Sequence, residues 1–261
     1  MPQGQQEVYG LGVLNDELFL VRHRSPEVEV YDASNWTLKR KIKINGLVAP
    51  WDLTSCSTFG CIYIDDISRP CTIRRLEASG EVTGWPVNSE PDGLSITPEP
   101  DCNVIVTCRE ARILKEFTTR GYLVRQILLP EDVVHPHQAI LFNGQFFVCH
   151  GWLSDPLRRI CIVDASGRVI RFFGGRPGSV VGRMKYANQL AMDKYGNIIL
   201  VDSGNGRVML LNQELTDVRE FIDARDAAVL LSPFKVCNTA DRFYVSDHHN
   251  KNVLIFQHRL V

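Results

Sequence analysis

Residues 197–212 read NIILVDSGNGRVMLLN, where two short apolar runs flank a polar turn that contains two glycines. This pattern predicts a β-hairpin. The turn also carries Asp202, Asn205 and Arg207, although a connection that needed only flexibility could consist of Gly and Ser. An aspartate at a strand end can accept backbone N–H bonds and pair with an arginine that begins the next strand. We therefore predict that these three residues form a structural clamp.

The hairpin pattern recurs along the chain. Residues 242–257 read RFYVSDHHNKNVLIFQ and place Asp247 and Asn250 at the positions of Asp202 and Asn205. Residues 61–76 place Asp66 at the aspartate position, and looser copies occupy residues 17–32, 104–117 and 145–164. Six copies separated by roughly 40–50 residues are typical of propeller blades. We expect Asp66, Asp247 and Asn250 to act as structural clamps as well.

Each copy lies between two further strand-like runs, so a complete repeat has four strands. No long apolar stripe of helical period is present, and helices should be scarce. These features predict an all-β chain that folds as one domain over residues 1–261, a six-bladed β-propeller with four antiparallel strands per blade. The expected blades span about residues 8–45, 46–88, 89–130, 131–175, 184–223 and 230–261.

The sixth blade is short of sequence for its fourth strand. Only residues 258–261 follow its third strand. Either these residues complete the sheet, or residues 5–9 add a strand beside it and close the ring.

The repeat in the fifth blade carries a resemblance to a known family. Its G-N-I-x-L-V-D-S-G-N-x-R-V pattern resembles the NHL repeat, and residues 173–184 look like the glycine-rich linker between NHL blades, with Met184 where that family usually has Phe. The chain is similar over nearly its whole length to the C-terminal NHL domain of tripartite-motif proteins. That resemblance implies a propeller that selects a target while a separate RING domain transfers ubiquitin, hence a targeting role in the ubiquitin pathway.

Composition restricts the function further. The net charge of −1 predicts no general attraction to nucleic acid or to an anionic membrane. No apolar run approaches the ~18 residues of a membrane span, and we identify no signal peptide. The eight cysteines contain no C-x-x-C pair, which argues against a zinc finger or RING. We expect a monomeric cytoplasmic domain with reduced thiols.

A binding site is expected where the inner strands begin, because the turns between second and third strands lie at the same end of the channel. Those turns and the 174–188 linker carry twelve basic against seven acidic residues, interleaved with aromatic side chains. This composition suits a protein or peptide partner, or single-stranded RNA. Acidic residues in neighbouring connections could instead leave the face neutral, with the basic residues forming only a solvated rim. The predicted binding residues are Arg22, His23, Arg24, Trp51, Arg109, Arg112, His137, His150, Trp152, Arg183, Tyr186, Asn188, Phe234, Lys235 and His248.

An enzyme is the alternative. Convergent histidines can hold zinc, as in amidating-lyase propellers, but only His137 begins an inner strand here. Asp92 and Asn188 are the corresponding oxygen donors for a lactonase-type calcium site. We expect no catalytic residue, metal or cofactor, and we interpret the histidines, His137 included, as exposed loop residues. The main prediction is a non-enzymatic binding scaffold, with a metal-dependent lyase or hydrolase as the alternative.

Overall fold

The computed structural model describes residues 6–222 and 230–257, which form six antiparallel sheets in sequence order. The first three sheets contain β1 Val8–Leu14, β2 Glu17–Arg22, β3 Glu27–Asp32, β4 Leu38–Lys43, β5 Pro50–Cys56, β6 Cys61–Asp66, β7 Thr72–Glu77, β8 Val82–Pro86, β9 Pro91–Ile96, β10 Val104–Cys108, β11 Ile113–Phe117 and β12 Leu123–Leu128. The other three contain β13 Pro136–Phe142, β14 Gln145–His150, β15 Arg158–Val163, β16 Val169–Gly175, β17 Ala187–Met192, β18 Ile198–Asp202, β19 Arg207–Leu211, β20 Val218–Ile222, β21 Pro233–Asn238, β22 Arg242–Asp247 and β23 Asn252–Gln257.

The first strand of every sheet lies innermost. β1 contacts β5, and the contacts continue through β9, β13, β17 and β21 back to β1. The six sheets therefore close into a ring around a central channel, which confirms the predicted all-β six-bladed propeller. Five sheets have four strands, and the sixth has three within the described residues.

Each pair of neighbouring sheets encloses its own apolar cluster. Tyr63 and Phe117, for example, pack between the second and third sheets. The interface between the sixth and first sheets is filled in the same way, by residues that include Leu20, Tyr244 and Val253. Burying each such side chain contributes about 1.5–3 kcal/mol, so the ring is stabilised along its whole circumference.

The two ends of the described chain meet at this last interface. Arg242 donates from Nη1 to the Ala33 carbonyl at 2.7 Å, and Arg22 donates from Nη1 to the Lys251 carbonyl at 3.2 Å. Residues 7–9 belong to the first sheet, since His23 donates its backbone N–H to the Glu7 oxygen and Tyr9 lies in β1. They do not form a strand beside the sixth sheet, and Gln5 and residues 258–261 lie outside the described residues.

Helix is nearly absent from the described ranges, where the one helical segment is the 3₁₀ turn Ser203–Asn205. No helix in these ranges is long and apolar enough to cross a membrane.

The end of the channel at which the inner strands begin is called the mouth below. At this end every inner strand has a register shift against its second strand, as between Pro136 and Gln138 or between Ala187 and Gln189. A β-bulge interrupts the strict alternation of side chains between the two faces of a strand. Two neighbouring residues of one strand can therefore both reach other blades at the mouth.

Candidate binding site at the channel mouth

Five rings from the first, second and sixth blades form one contiguous group, the Tyr9 cluster. Tyr9 lies at its centre, with ring centroids 4.6 Å from Trp51, 4.7 Å from His248, 4.8 Å from His23 and 5.3 Å from Phe234. Phe234 is buried and the other four are half-buried. The cluster thus presents aromatic surface at the mouth. Sequence reasoning missed Tyr9, although the pair Tyr9-Gly10 aligns with Trp51-Asp52 at the start of an inner strand.

His248 belongs to this cluster as a neutral ring. It stacks on Phe234 with centroids 3.7 Å apart, and its Nε2 lies 3.0 Å from the Val8 carbonyl oxygen. Burial lowers the pKa of His248 to about 4, and the charge of Lys235 acts in the same direction. At neutral pH the Tyr9 cluster therefore carries no positive charge from His248.

A second group, the His137 cluster, comprises Asp92, Arg109, His137, Trp152 and Tyr186 from the third to fifth blades. Nδ1 of His137 lies 2.6 Å from Asp92 Oδ2, and both side chains are buried. The rings of Trp152 and Tyr186 pack against His137 at 5.6 and 5.0 Å, and Arg109 lies 5.3 Å from the centre of the Trp152 ring. Burial opposes ionisation of Asp92, but the His137 hydrogen bond and the charge of Arg109 outweigh it and lower the pKa of Asp92. Asp92 is therefore an anion that accepts from Nδ1–H.

Below the mouth, a buried lysine crosses the channel. Lys235 of the sixth blade has its Nζ 3.3 Å from Asp52 Oδ2 of the second blade and 3.1 Å from Gln189 Oε1 of the fifth. Burial raises the pKa of Asp52, and burial together with the charge of Asp52 raises the pKa of Asp65 well above its usual value. We interpret the group as an ion pair of Lys235 with Asp52, next to which burial favours the neutral form of Asp65. It separates the mouth from a cavity of about 170 Å³ that includes Gln189 at its edge.

Replacing Lys235 by Met should destabilise the fold by about 3–5 kcal/mol, because Asp52 would remain buried without a counter-charge. Urea unfolding at neutral pH measures this loss. The double variant Lys235→Met with Asp52→Asn should recover part of it, since the second change removes the orphaned charge. A Lys235→Met protein as stable as the wild type would contradict the assignment of an ion pair.

The remaining predicted binding residues take different positions. Arg22 is buried and pairs with Glu29 at 3.0 Å, and Asn188 is buried with its amide donating to the Phe234 carbonyl at 2.7 Å. Arg24 and Arg183 are exposed and Arg112 is half-buried.

The expectation that the histidines are exposed loop residues is wrong for His137 and His150, which are 1% and 0% exposed. His150 ends β14, where it pairs with Pro136 of β13 on one side and Arg159 of β15 on the other.

The predicted clamp residues lie in the turns at the mouth. Asp202 accepts backbone N–H bonds from Lys185 and Tyr186, both at 3.0 Å, and contacts Asn205 at 2.6 Å and Arg207 at 3.1 Å through its second oxygen. This arrangement holds the 174–188 linker against the turn.

Two other blades repeat the backbone part of this arrangement. Asp66 accepts backbone N–H bonds from Val48 and Ala49, and Asp247 accepts them from Leu231 and Ser232 and, within its own turn, from Asn250. In each blade the carboxylate fixes the segment that leads into an inner strand.

The mouth is less basic than its sequence suggests. Besides Arg22 and Lys235, Arg109 is paired internally, at 3.1 Å from Glu90 and 3.4 Å from Asp92. Glu29 lies seven residues from Arg22 in the next strand, whereas the carboxylates that neutralise Arg109 and Lys235 come from a preceding connection and from another blade. The predicted basic excess is therefore reduced to exposed residues such as Arg24 and Arg183.

Within the described residues, no group of three or more His, Cys, Asp and Glu side chains is placed to hold a metal ion. His137 has one carboxylate partner, Asp92, which already binds Arg109. The residues at the mouth therefore do not fit the metal site that a lyase-type or lactonase-type propeller would need.

No protein-family model matches the chain. Among solved structures, it is similar to virginiamycin B lyase from Staphylococcus aureus, with 13% identity over 100% of this chain and 88% of that chain and a TM-score of 0.68. It is also similar to a chain of a nidogen/laminin complex, with 17% identity over 92% and 88% and a TM-score of 0.71. The WD40 β-propeller domain of Doa1 aligns with 13% identity over 99% and 95% and a TM-score of 0.67. These likenesses show the fold alone.

Proposed function

We propose that this protein is a non-enzymatic scaffold that binds a protein or peptide segment across the channel mouth. The observation that carries the proposal is the Tyr9 cluster, a contiguous aromatic surface that three blades build at one end of the channel. Half-buried Trp and Tyr side chains on a rigid base are the usual anchors of protein interfaces, because they bury a large area with little loss of side-chain entropy. The inner strands that carry these residues form a closed ring, and the buried ion pair of Lys235 with Asp52 joins two of the blades. The base beneath the aromatic side chains is therefore rigid.

A peptide fits the mouth better than RNA does. Single-stranded RNA requires a basic groove that follows its phosphates, and the cations of Arg22, Arg109 and Lys235 are already paired with carboxylates. A peptide can instead use aromatic contacts with few free charges. The similarity to a chain from a nidogen/laminin complex supports a protein partner, because that chain was solved in a complex between two proteins.

The resemblance to NHL repeats supports a more specific role. In a tripartite-motif setting the propeller would choose the target and another domain would transfer ubiquitin. All eight cysteines are free and six of them are buried, which supports a location in a reducing compartment, the cytoplasm.

Selection of peptides from a random display library tests the proposal. We expect the wild-type protein to select peptides whose affinity falls at least about tenfold when Trp51 is replaced by Ala, since Trp51 is half-buried and packs against Tyr9 in the cluster. The matched control is Tyr122→Ala, which removes an exposed aromatic side chain from the turn between β11 and β12. Selected peptides that bind Trp51→Ala as well as wild type would place binding elsewhere and refute the site.

A further inference from the structure

The second ring nitrogen of His137 has no partner within the described residues. His137 is 1% exposed, and its Nε2 is buried without a hydrogen bond. Because a carboxylate such as that of Asp92 can only accept, Nδ1–H is the donor in this pair, and in this tautomer of the imidazole Nε2 is an acceptor. A buried acceptor without a donor costs free energy, which a ligand with an N–H group would recover.

Charge around this nitrogen favours a cation. The carboxylates of Asp92, Glu90 and Glu110 surround the single guanidinium of Arg109. Lys235 lies deeper, and its charge is engaged by Asp52. In this set of ion pairs, three carboxylates therefore share one guanidinium.

The aromatic walls favour the same kind of group. Trp152 and Tyr186 pack against each other at 5.2 Å and both contact His137. Arg109 already lies over one ring of this set, at 5.3 Å from the centre of Trp152, so the indole is used as a cation-binding surface within the protein. Trp152 belongs to the turn between β14 and β15, outside the paired strands, and is half-buried.

We propose that the His137 cluster is a subsite for a cationic nitrogen of the bound peptide, the ammonium of a lysine or the guanidinium of an arginine. This inference rests on the proposed peptide-binding function and names the side chain that the mouth recognises. The cation donates an N–H to Nε2 of His137, packs against Trp152 and Tyr186, and balances the charge of Asp92. An RNA backbone offers no such cation.

Capped tripeptides test the subsite directly. The probes are N-acetyl-Gly-Xaa-Gly-amides with Lys, Arg, Glu or Leu at the central position, and the readout is the nitrogen-15 resonance of the His137 imidazole, assigned by its loss in His137→Gln. We expect the Lys or the Arg peptide to shift the Nε2 resonance, and the Glu and Leu peptides to leave it unchanged. Trp152→Leu and Asp92→Asn should each weaken this binding at least about tenfold.

Tyr122→Leu is the control for loss of an aromatic side chain away from the mouth and should bind as wild type does. Trp152 is only half-buried, so its variant keeps the test valid if Asp92→Asn fails to fold. A Glu peptide that shifts the resonance as strongly, or basic peptides that leave it unchanged at concentrations on the order of 10 mM, would overturn the subsite. If display-selected peptides then still depended on Trp51, the proposed function would stand without this inference.

Discussion

Acidification from pH 7.5 to 5.0 is expected to remove about 4 kcal/mol of stability through two histidines, the buried His150 and the half-buried His248. Burial lowers the pKa of His150 to about 4, assisted by the charge of Arg159, and burial lowers that of His248 to about 4. The unfolded chain takes up these protons below the ordinary pKa of 6.5, whereas the folded chain takes them up only near pH 4. The histidine contribution is therefore complete above pH 6.5 and is lost as the pH falls towards 4.

Urea unfolding at the two pH values measures the effect. His150→Leu should lose about 2 kcal/mol less than the wild type between pH 7.5 and 5.0, because one proton-uptake site of the unfolded chain is gone. In both the wild type and the variant, the raised pKa of Asp65 changes stability with pH in the opposite direction. The test is therefore the difference between the two proteins. The exposed His249, replaced by Gln, is the matched control and should leave the pH dependence unchanged. Equal pH dependence in His150→Leu and wild type would refute this account.

Replacing Asp202 by Ala should cost about 3–5 kcal/mol, a loss visible as a lower melting temperature. The carboxylate is fully buried and pairs with Arg207, which is 4% exposed and would keep only the partly exposed Glu220 as an acidic partner. The backbone N–H groups of Lys185 and Tyr186 would also lose their acceptor. Because Tyr186 lines the His137 cluster, we expect peptide binding at the mouth to weaken with stability.

Asp66→Ala provides the comparison within the same chain. Asp66 accepts the equivalent backbone bonds from Val48 and Ala49, but the residue that pairs with it across the hairpin, as Arg207 pairs with Asp202, is the uncharged Thr72. The Asp66→Ala variant should therefore lose less stability, about 1–3 kcal/mol. The difference between the two variants measures the stability that the buried ion pair of Asp202 with Arg207 contributes. Equal losses for the two variants would show that Arg207 contributes nothing to the clamp.

How much of the structure could be predicted depends on how far apart in sequence the interacting residues are. Asp202 and Arg207 are five residues apart, and the recurrence of their pattern was enough to predict six blades. The pairing of Lys235 with Asp52 joins the sixth blade to the second, and the contact of His137 with Asp92 spans 45 residues. No local sequence pattern identifies such partners. The sequence therefore suggested unpaired cations at positions where the structure pairs the cations with carboxylates.

The burial of individual side chains could also not be predicted from the local sequence. His150 follows an apolar run and looks like the first residue of a turn, yet it ends β14 with neighbours on both sides. Tyr9 precedes the first recognisable strand pattern at Gly10, and its central place in the mouth depends on rings from three blades. Alignment of inner-strand starts across all six repeats was the available signal for Tyr9.

The register shifts at the mouth have a consequence for how such a chain can diverge. Neighbouring pairs such as Trp51-Asp52, His137-Gln138 and Phe234-Lys235 lie where the pairing with the second strand is interrupted. Mutations of Trp51 and of similar ring-bearing positions can alter size or polarity while the ladders that define each blade persist, whereas Asp52 and Lys235 are constrained by their buried ion pair. Duplicated copies of this gene could therefore acquire new ligand preferences through the half-buried side chains at the mouth, while the ring itself is inherited unchanged.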